Sequence, residues 1–577
     1  MADPMTDYER EREENIRKNN ELLLQLDIQG IHDQLGVPAS SSSKAKAPVK
    51  RSHTKPPKVK SEAVELPLRR SSRMQRSIAD PNETPAQKRK REKEDEELRE
   101  RAEQERQAEL ERVRAAHKPR HQDLDLKTLV DDLDNDEIPK LRGLLSSLCS
   151  KKHPRAVGSG TSSRDEEITA NDKLEDLKTR VRRAEVKSRA KISADRVYSM
   201  AYHPETSKDV VFIGDKHGKL GVWEPFAIPE ETVDEDGETV TTEGGRHWTL
   251  QPHWPSTSKS SVSAMKVDPI DAHSIITSAY DCTIRQTSFT SGLSRELFAL
   301  DDVLITSFDL PPNGHEVWIS DAQGCLSHVD LRQDKKHARR WDINGTGQKI
   351  GCVSVNPVTP HFLVTASNDR TLKLWDARKL LSLPISLSSA PPTVKGRGSK
   401  KQESDEDLPS MNETEYEEVS KYLISKRGPG LLRAEHPHNL SVSSAYWDPS
   451  GRRIVSTSYD DTLRVWNIKP SSLVLDTPLK KFDPIIRRNH NCQTGRWLSI
   501  LKAQWMPSPD VYPHFVVGNM NQSLDIIGCQ GELIANLGDK NLISAVQAVA
   551  TCHPSRVGRY ATGNASGRCV LWGPEDH

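Results

Sequence analysis

The C-terminal two-thirds of the chain repeats itself seven times, and this echo limits the fold more than any other feature. The clearest copy, VSVNPVTPHFLVTASNDRTLKLWDAR, runs from Val353 to Arg378. A second, VSSAYWDPSGRRIVSTSYDDTLRVWNIK, runs from Val442 to Lys469. Each reads as a strand, a turn with Pro, a strand ending in small residues, an Asp turn, and a strand closing on Trp. Weaker copies occupy 196–225 (ending GDKHGKLGVW), 260–291 (TSAYDCTIR), 301–332 (ISDAQGCLSHVDLR), 497–531 (VVGNMNQSLDII) and 541–575 (ATGNASGRCVLW). One such unit cannot bury its own apolar surface, so the copies must stack on one another. Seven suit a closed ring, which removes the sheet edges that an open array would expose.

The copies resemble WD repeats, one propeller blade each. The expected fold class is therefore all-β, a seven-bladed WD-repeat β-propeller preceded by a long, largely disordered or helical N-terminal region. The last copy stops after its Trp strand at Trp572 and lacks an outer strand. The segment EVKSRAKI, Glu185 to Ile192, is predicted to supply it and clasp the ring. The blade residues Asp281, Asp369 and Asp460 and Trp223, Trp375, Trp466 and Trp572 are assigned to folding. Asp accepts turn hydrogen bonds and Trp fills a blade edge. His438, Asp460 and Trp466 are expected to form one such network. Two inserts, 224–259 and 379–437, interrupt the ring, and loops of that length are functional or disordered.

Composition fits a folded ring with a solvated remainder, since only 34% of the chain is hydrophobic and 29% is charged. Residues 1–36 contain a charged helix, Tyr8 to Leu26, with Ile16, Leu22, Leu23 and Leu26 at helical spacing. Residues 37–91 form a basic disordered arm, with 15 Lys and Arg against 4 acids between Lys44 and Arg91. Its clusters RRSSRMQR (Arg69–Arg76) and KRKR (Lys88–Arg91) suit nuclear import or contact with phosphates. Residues 92–184 are charged helices and linker, with enough Leu between Leu124 and Leu148 to pack on the ring. Residues 185–577 are the propeller. Between Gln402 and Ser420 stand 8 acids and no base, a stretch that keeps a loop solvated. The eight cysteines form no C-x-x-C pair and are expected as buried thiols. The N-terminus is charged, unlike a secretory signal, and no run of 18 apolar residues predicts a membrane span.

Catalytic signatures are missing: there is no G-x-S-x-G, H-E-x-x-H or G-x-x-x-x-G-K. The expectation is a non-enzymatic platform with no cofactor and no metal. Positive charge gathers between blades. Arg332 to Lys349 holds Lys335, Lys336, Arg339, Arg340 and Lys349. Arg487 to Trp497 mixes Arg487, Arg488 and Arg496 with His490, Gly495 and Trp497. Cations hold phosphates, and His or Trp stacks on an unpaired base. All of these except Gly495, ten residues, are the candidate DNA contacts.

The motif TASNDRTLKLWDARK (Thr365–Lys379), these basic loops, the RRSSRMQ patch and the opening YEREREENIRKNNELLLQL together resemble one family. It is the WD-repeat proteins related to the small subunit of the damaged-DNA-binding complex, and within them the fungal changed-mutation-rate family. The resemblance implies a nuclear, chromatin-associated protein that binds DNA, prefers damaged duplex and acts in the DNA damage response. In that small subunit a hairpin between blades five and six wedges Phe-Gln-His into the minor groove. Here Asn489, His490 and Asn491 stand in that place, so His490 and Trp497 are the local candidates for bulk. The resemblance also carries W-D-x-R, here Trp375 to Arg378. In ubiquitin-ligase receptors such a motif docks on the large adaptor of a cullin-RING ligase, which points to Asp376 and Arg378. Asp330 and Arg332 repeat the spacing. Two alternatives therefore stand beside DNA binding: an interaction hub such as a ligase receptor, and a histone-tail reader with acidic residues at the channel mouth.

Overall fold

The computed structural model describes residues 120–130, 137–149, 165–228, 231–233, 239–241, 244–383 and 412–574. The helix expected at Tyr8–Leu26, both N-terminal basic clusters, the charged run to His117 and the first part of the acidic stretch lie outside them.

Seven antiparallel sheets make seven blades. In order from the central channel outward, blade 1 comprises Val197–Tyr202, Val211–Asp215, Leu220–Glu224 and Arg246–Leu250. Blade 2 comprises Val262–Val267, Ser274–Ala279, Thr283–Ser288 and Ser294–Ala299. Blade 3 is Ile305–Asp309, Glu316–Asp321, Cys325–Asp330 and Arg339–Asp342. Blade 4 is Ile350–Val355, Phe362–Ser367, Thr371–Asp376 and Leu432–Pro437. Blade 5 is Val442–Trp447, Arg453–Ser458, Thr462–Asn467 and Ile486–Asn489. Blade 6 is Gln504–Trp505, His514–Asn519, Ser523–Gly528 and Leu533–Leu537. Blade 7 takes Val549–Cys552, Tyr560–Gly563 and Arg568–Pro574 from the C-terminus. Its outer strand is Ala184–Lys191, in antiparallel register from Ala184 opposite Pro574 to Lys191 opposite Arg568. The ring closes where blade 7 meets blade 1, with His553 Nε2 3.0 Å from the Glu205 carbonyl.

Each blade lies between two others, so its middle strands are buried on both faces. Ser274–Ala279 and Phe362–Ser367 are buried at every position rather than at alternate ones. Small residues there let neighbouring blades approach. At Gly518 a Cβ would stand 1.9 Å from the Gln547 carbonyl of the next blade. The blade tryptophans fill the sheet edges; the indoles of Trp375 and Trp572 are satisfied locally, while Trp466 Nε1 has no hydrogen-bond partner among the described residues. Trp375 Nε1 donates to Thr365 Oγ1 at 2.9 Å and Trp572 Nε1 to Thr562 Oγ1 at 3.1 Å.

Turn aspartates have the expected folding role, with one departure. In blade 2, His253 Nδ1 lies 3.0 Å from Asp281 Oδ2, and Asp281 also accepts from Thr283. In blade 5 the expected His438, Asp460 and Trp466 come together, with the His438 and Trp466 ring centroids 6.1 Å apart, but His438 makes no direct hydrogen bond to Asp460. Arg464 Nη2 takes Asp460 at 2.6 Å and leaves His438 3.6 Å away, with both ring nitrogens unpartnered. Burial and the Arg464 cation push the His438 pKa down to about 3.

The two inserts are not simple loops. Insert 224–259 contains the outer strand of blade 1 and a small ribbon, Glu231–Val233 with Thr239–Thr241. Insert 379–437 contains the outer strand of blade 4. It also holds Asn412–Thr414, which adds in parallel to the edge of blade 3, and the helix Tyr416–Ile424. The reason is the repeat itself: its strong signals end at the third strand, so the variable fourth strand sits inside apparent linkers.

Segments before the ring are welded to its side. Helices α1 (Leu126–Leu129) and α2 (Glu137–Leu148) bury Leu126, Leu129, Leu141, Leu144, Leu145 and Leu148 against blades 1 and 2. Leu124 bridges to Ser294, and Trp248 Nε1 donates to Glu137 Oε2 at 2.8 Å. The buried Arg285 guanidinium donates to the Arg120 and Gln122 carbonyls at 2.9 and 2.5 Å. Helix α3 (Asp165–Arg182) packs Leu177 and Val181 into the core of blades 6 and 7.

Candidate nucleic-acid interface

Antiparallel strands send successive connections to opposite ends of a blade. Turns between second and third strands share one face of the ring with the outer-to-inner connections; that is here the upper face. Turns between first and second, and third and outer, strands lie on the lower face. This rule cuts both basic stretches in two, because each contains an outer strand.

In the first stretch, Lys335 and Lys336 lie in the lower connection of blade 3. Lys335 Nζ is 3.1 Å from Glu296 Oε1. Arg339 and Arg340 belong to the outer strand. Arg339 donates to the Leu381 and Leu383 carbonyls at 2.5 and 2.6 Å and stacks over Trp341. Arg340 is buried between Asp321 and Glu413, each 2.8 Å away, and these carboxylates hold its pKa above the usual range despite burial. Only Lys349 reaches the upper face, where its Nζ meets Tyr280 Oη at 3.2 Å.

The second stretch divides likewise. Arg487 and Arg488 are in the outer strand of blade 5. Arg487 is exposed, and Arg488 donates to the Gly531 carbonyl at 2.8 Å. His490 is buried, with Nε2 2.9 Å from the Gly518 carbonyl, so its ring cannot reach a ligand. Arg340, Arg339, Arg488 and His490 are thus building residues, a correction to their expected role as contacts. Beyond His490 the chain runs along the upper face. Cys492 N is held by Asp461 at 2.9 Å, and Gln493 Nε2 donates to the Tyr459 carbonyl at 2.5 Å. Arg196 braces the loop through the Arg496 and Leu498 carbonyls at 3.1 and 3.3 Å. Gly495 turns the loop at φ +58°, which leaves the Arg496 side chain free and Trp497 76% exposed.

Other upper-face cations escaped the sequence reading. Lys216 and Lys219 flank the blade 1 turn, Arg370 occupies the blade 4 turn, and Lys259 and Lys540 lie in the connections after blades 1 and 6. None forms an ion pair among the described residues. They are isolated in sequence and come to one face only through the alternation of turns around the ring. The acids of this face are mostly engaged, as Asp461 and Asp539 are with backbone amides; Asp301 and Asp302, between blades 2 and 3, are exposed.

On the lower face both Asp-x-Arg pairs form forks. Arg378 meets Asp376 at 3.0 and 2.6 Å, and Arg332 meets Asp330 at 2.9 and 2.7 Å. The Arg332 hydrogen bonds pull the Asp330 pKa down to about 2. Asp376 is fully buried and caps the helix Ala377–Leu381, while Arg378 stays exposed. Among the described residues no group of His, Cys, Asp and Glu is arranged for a metal, and no helix is long and apolar enough to cross a membrane.

Fold and repeat together define a WD-repeat propeller, and the family description "WD domain, G-beta repeat" matches residues 339–376 and 431–467. The chain is 39% identical over 505 residues to DNA damage-binding protein CMR1 of Cryptococcus neoformans var. neoformans serotype D, covering 81% of this chain and 83% of that one. It is 31% identical to the protein of that name from Mycosarcoma maydis, over 99% of both chains, and 31% identical to that from Neurospora crassa, over 98% of both. The chain belongs to this fungal family of DNA damage-binding proteins CMR1.

Proposed function

We propose that the protein is a nuclear, non-enzymatic DNA-binding scaffold that grips duplex DNA with the upper face of its propeller, prefers damaged duplex and serves the DNA damage response. The carrying observation is the set of unpaired cations on that face: Lys216, Lys259, Arg370, Arg496 and Lys540. The relatives' name supports DNA as the partner. Preference for damage is read from Trp497. A wedge must offset lost base stacking with apolar bulk, and Trp497 is the large exposed ring held on a braced loop. The test is duplex binding across a salt series. Each lost phosphate contact lowers the log–log salt slope by about 0.9. Changing Arg370, Arg496 and Lys540 to Ala should lower it by about 2 to 3, whereas Lys335→Ala with Lys336→Ala should leave it unchanged. Trp497→Ala should narrow the gap between damaged and intact duplex. An unaltered slope in the triple variant rejects the upper face.

A second reading, docking on the large adaptor of a cullin-RING ligase, is favoured by the two forked Asp–Arg pairs on adjacent blades of the lower face. Arg332→Ala with Arg378→Ala should then abolish co-purification of that adaptor and spare DNA binding. A basic histone tail finds no counter-charge at the upper mouth of the channel, whose lining holds lysines and no carboxylate.

A further inference from the structure

The upper mouth of the central channel opens into a cavity of about 250 Å³. Lys349 and Lys502 both line it, with Tyr198, Tyr280, Tyr459 and Asn368, and no Asp or Glu is among its lining residues. The channel's three lysines are treated differently by the fold. Lys266, at the far end, is paired with Asp309. Lys349 leans on the Tyr280 ring, 5.4 Å from its centroid. Lys502 has no carboxylate and no hydrogen-bond acceptor among the described residues. Burial pushes its pKa down, and the neighbouring Lys349 pushes the same way. Two ammonium groups in one recess repel each other, and desolvating an unpaired charge is costly. The Tyr198 hydroxyl and the Asn368 amide also lack partners among the described residues. An anion entering the recess would meet two lysine side chains and no carboxylate.

The shape and rim of the recess identify the anion's carrier. A duplex presents phosphates on a broad convex surface and cannot send one between the inner strands of a ring. A phosphorylated side chain is a single slender arm with two negative charges and three acceptor oxygens. Ile500 is an exposed apolar residue of the lining, and the exposed Leu304 and Leu440 stand two and one residues before the lining residues Thr306 and Ser441, apolar surface suited to the residues flanking that arm. We propose that this cavity binds a phosphorylated serine or threonine side chain of a peptide laid across the upper face. The inference stands on the recess alone and does not depend on the DNA contacts.

The probe is a peptide library with a fixed central phosphoserine or phosphothreonine and randomised flanks, offered to the full chain beside its unphosphorylated twin. The phosphorylated library should bind, and the twin should not. Lys502→Gln and Lys349→Gln should each weaken binding by about thirtyfold or more, the usual cost of removing one partner of a sequestered charge pair. Thermal melting should show both variants folded. Should either unfold, competition of the native chain's signal by free phosphoserine replaces it. Lys259→Ala, outside the recess, should weaken duplex binding and leave peptide binding intact. Equal binding of the twin, no binding of either library, indifference to both lysine changes, or stronger competition by a 5′-phosphorylated single strand than by the phosphopeptide would each overturn the proposal.

Discussion

The two faces of the ring are built from similar residues and differ in how their charges are spent. On the lower face and the blade edges several arginines are locked to carboxylates, although Lys336, Lys469, Lys480 and Arg487 form no ion pair among the described residues. Arg378 has Asp376, Arg332 has Asp330, Arg453 has Asp448, and Arg340 has both Asp321 and Glu413. On the upper face Lys216, Lys259, Arg370, Arg496 and Lys540 stand without carboxylates. A count of Lys and Arg along the chain treats these groups alike. Their chemistry differs, because a paired cation has already met its anion and a bare one has field left for a ligand. Arg340 and Arg496 typify the contrast.

The largest effect expected from that contrast is on stability. Arg340→Ala strands Asp321, which is 1% exposed, and should cost about 3–5 kcal/mol. Urea denaturation measures it. The salt slope of DNA binding should not move, and a falling slope would break the distinction between the two kinds of cation.

A pH effect on the interior is at least as large. Burial pushes the pKa of His514 and of His553 down to about 4 in the folded protein. The unfolded chain takes up these protons first, near the ordinary histidine value of about 6.5. Their contribution to stability is therefore complete above that pH and lost as pH falls towards 4. Urea midpoints should drop between pH 6.5 and 4.5, while the folded protein's DNA affinity at pH 7 and pH 6 stays alike, since Lys and Arg remain charged. A sharp change in affinity with the fold intact would place a titrating group in the contact.

The smallest effects sharpen the contrast most. Arg496→Ala alters an exposed side chain with no carboxylate partner and should change stability by less than about 1 kcal/mol, whereas Arg378→Ala takes the fork from the buried Asp376 carboxylate and should cost more than that. Only Arg496→Ala should weaken duplex binding. Equal losses of DNA affinity in both would mean that charge in general, rather than the upper face, drives association.

The repeat itself was legible because every blade needs the same parts. Val353–Arg378 and Val442–Lys469 carry them plainly, and the missing outer strand after Trp572 pointed to the segment that pairs there, Ala184–Lys191. Fourth strands were less visible. Arg339–Asp342 and Ile486–Asn489 read as basic loops because an outer strand packs on one neighbour only and tolerates charge. Reading them as loops placed Arg340 and His490 among the ligand contacts, and burial removed both.

By itself the sequence determined the ring, since strand period, turn residues and blade tryptophans are local signals that need no partner to be read. Tertiary structure alone decided which charges remain available. Pairing depends on carboxylates that arrive from distant segments, as Glu413 does at Arg340 and Glu296 at Lys335. It also depends on which end of an antiparallel strand a turn occupies, and that alternation brings scattered residues such as Lys259 and Arg370 to one face.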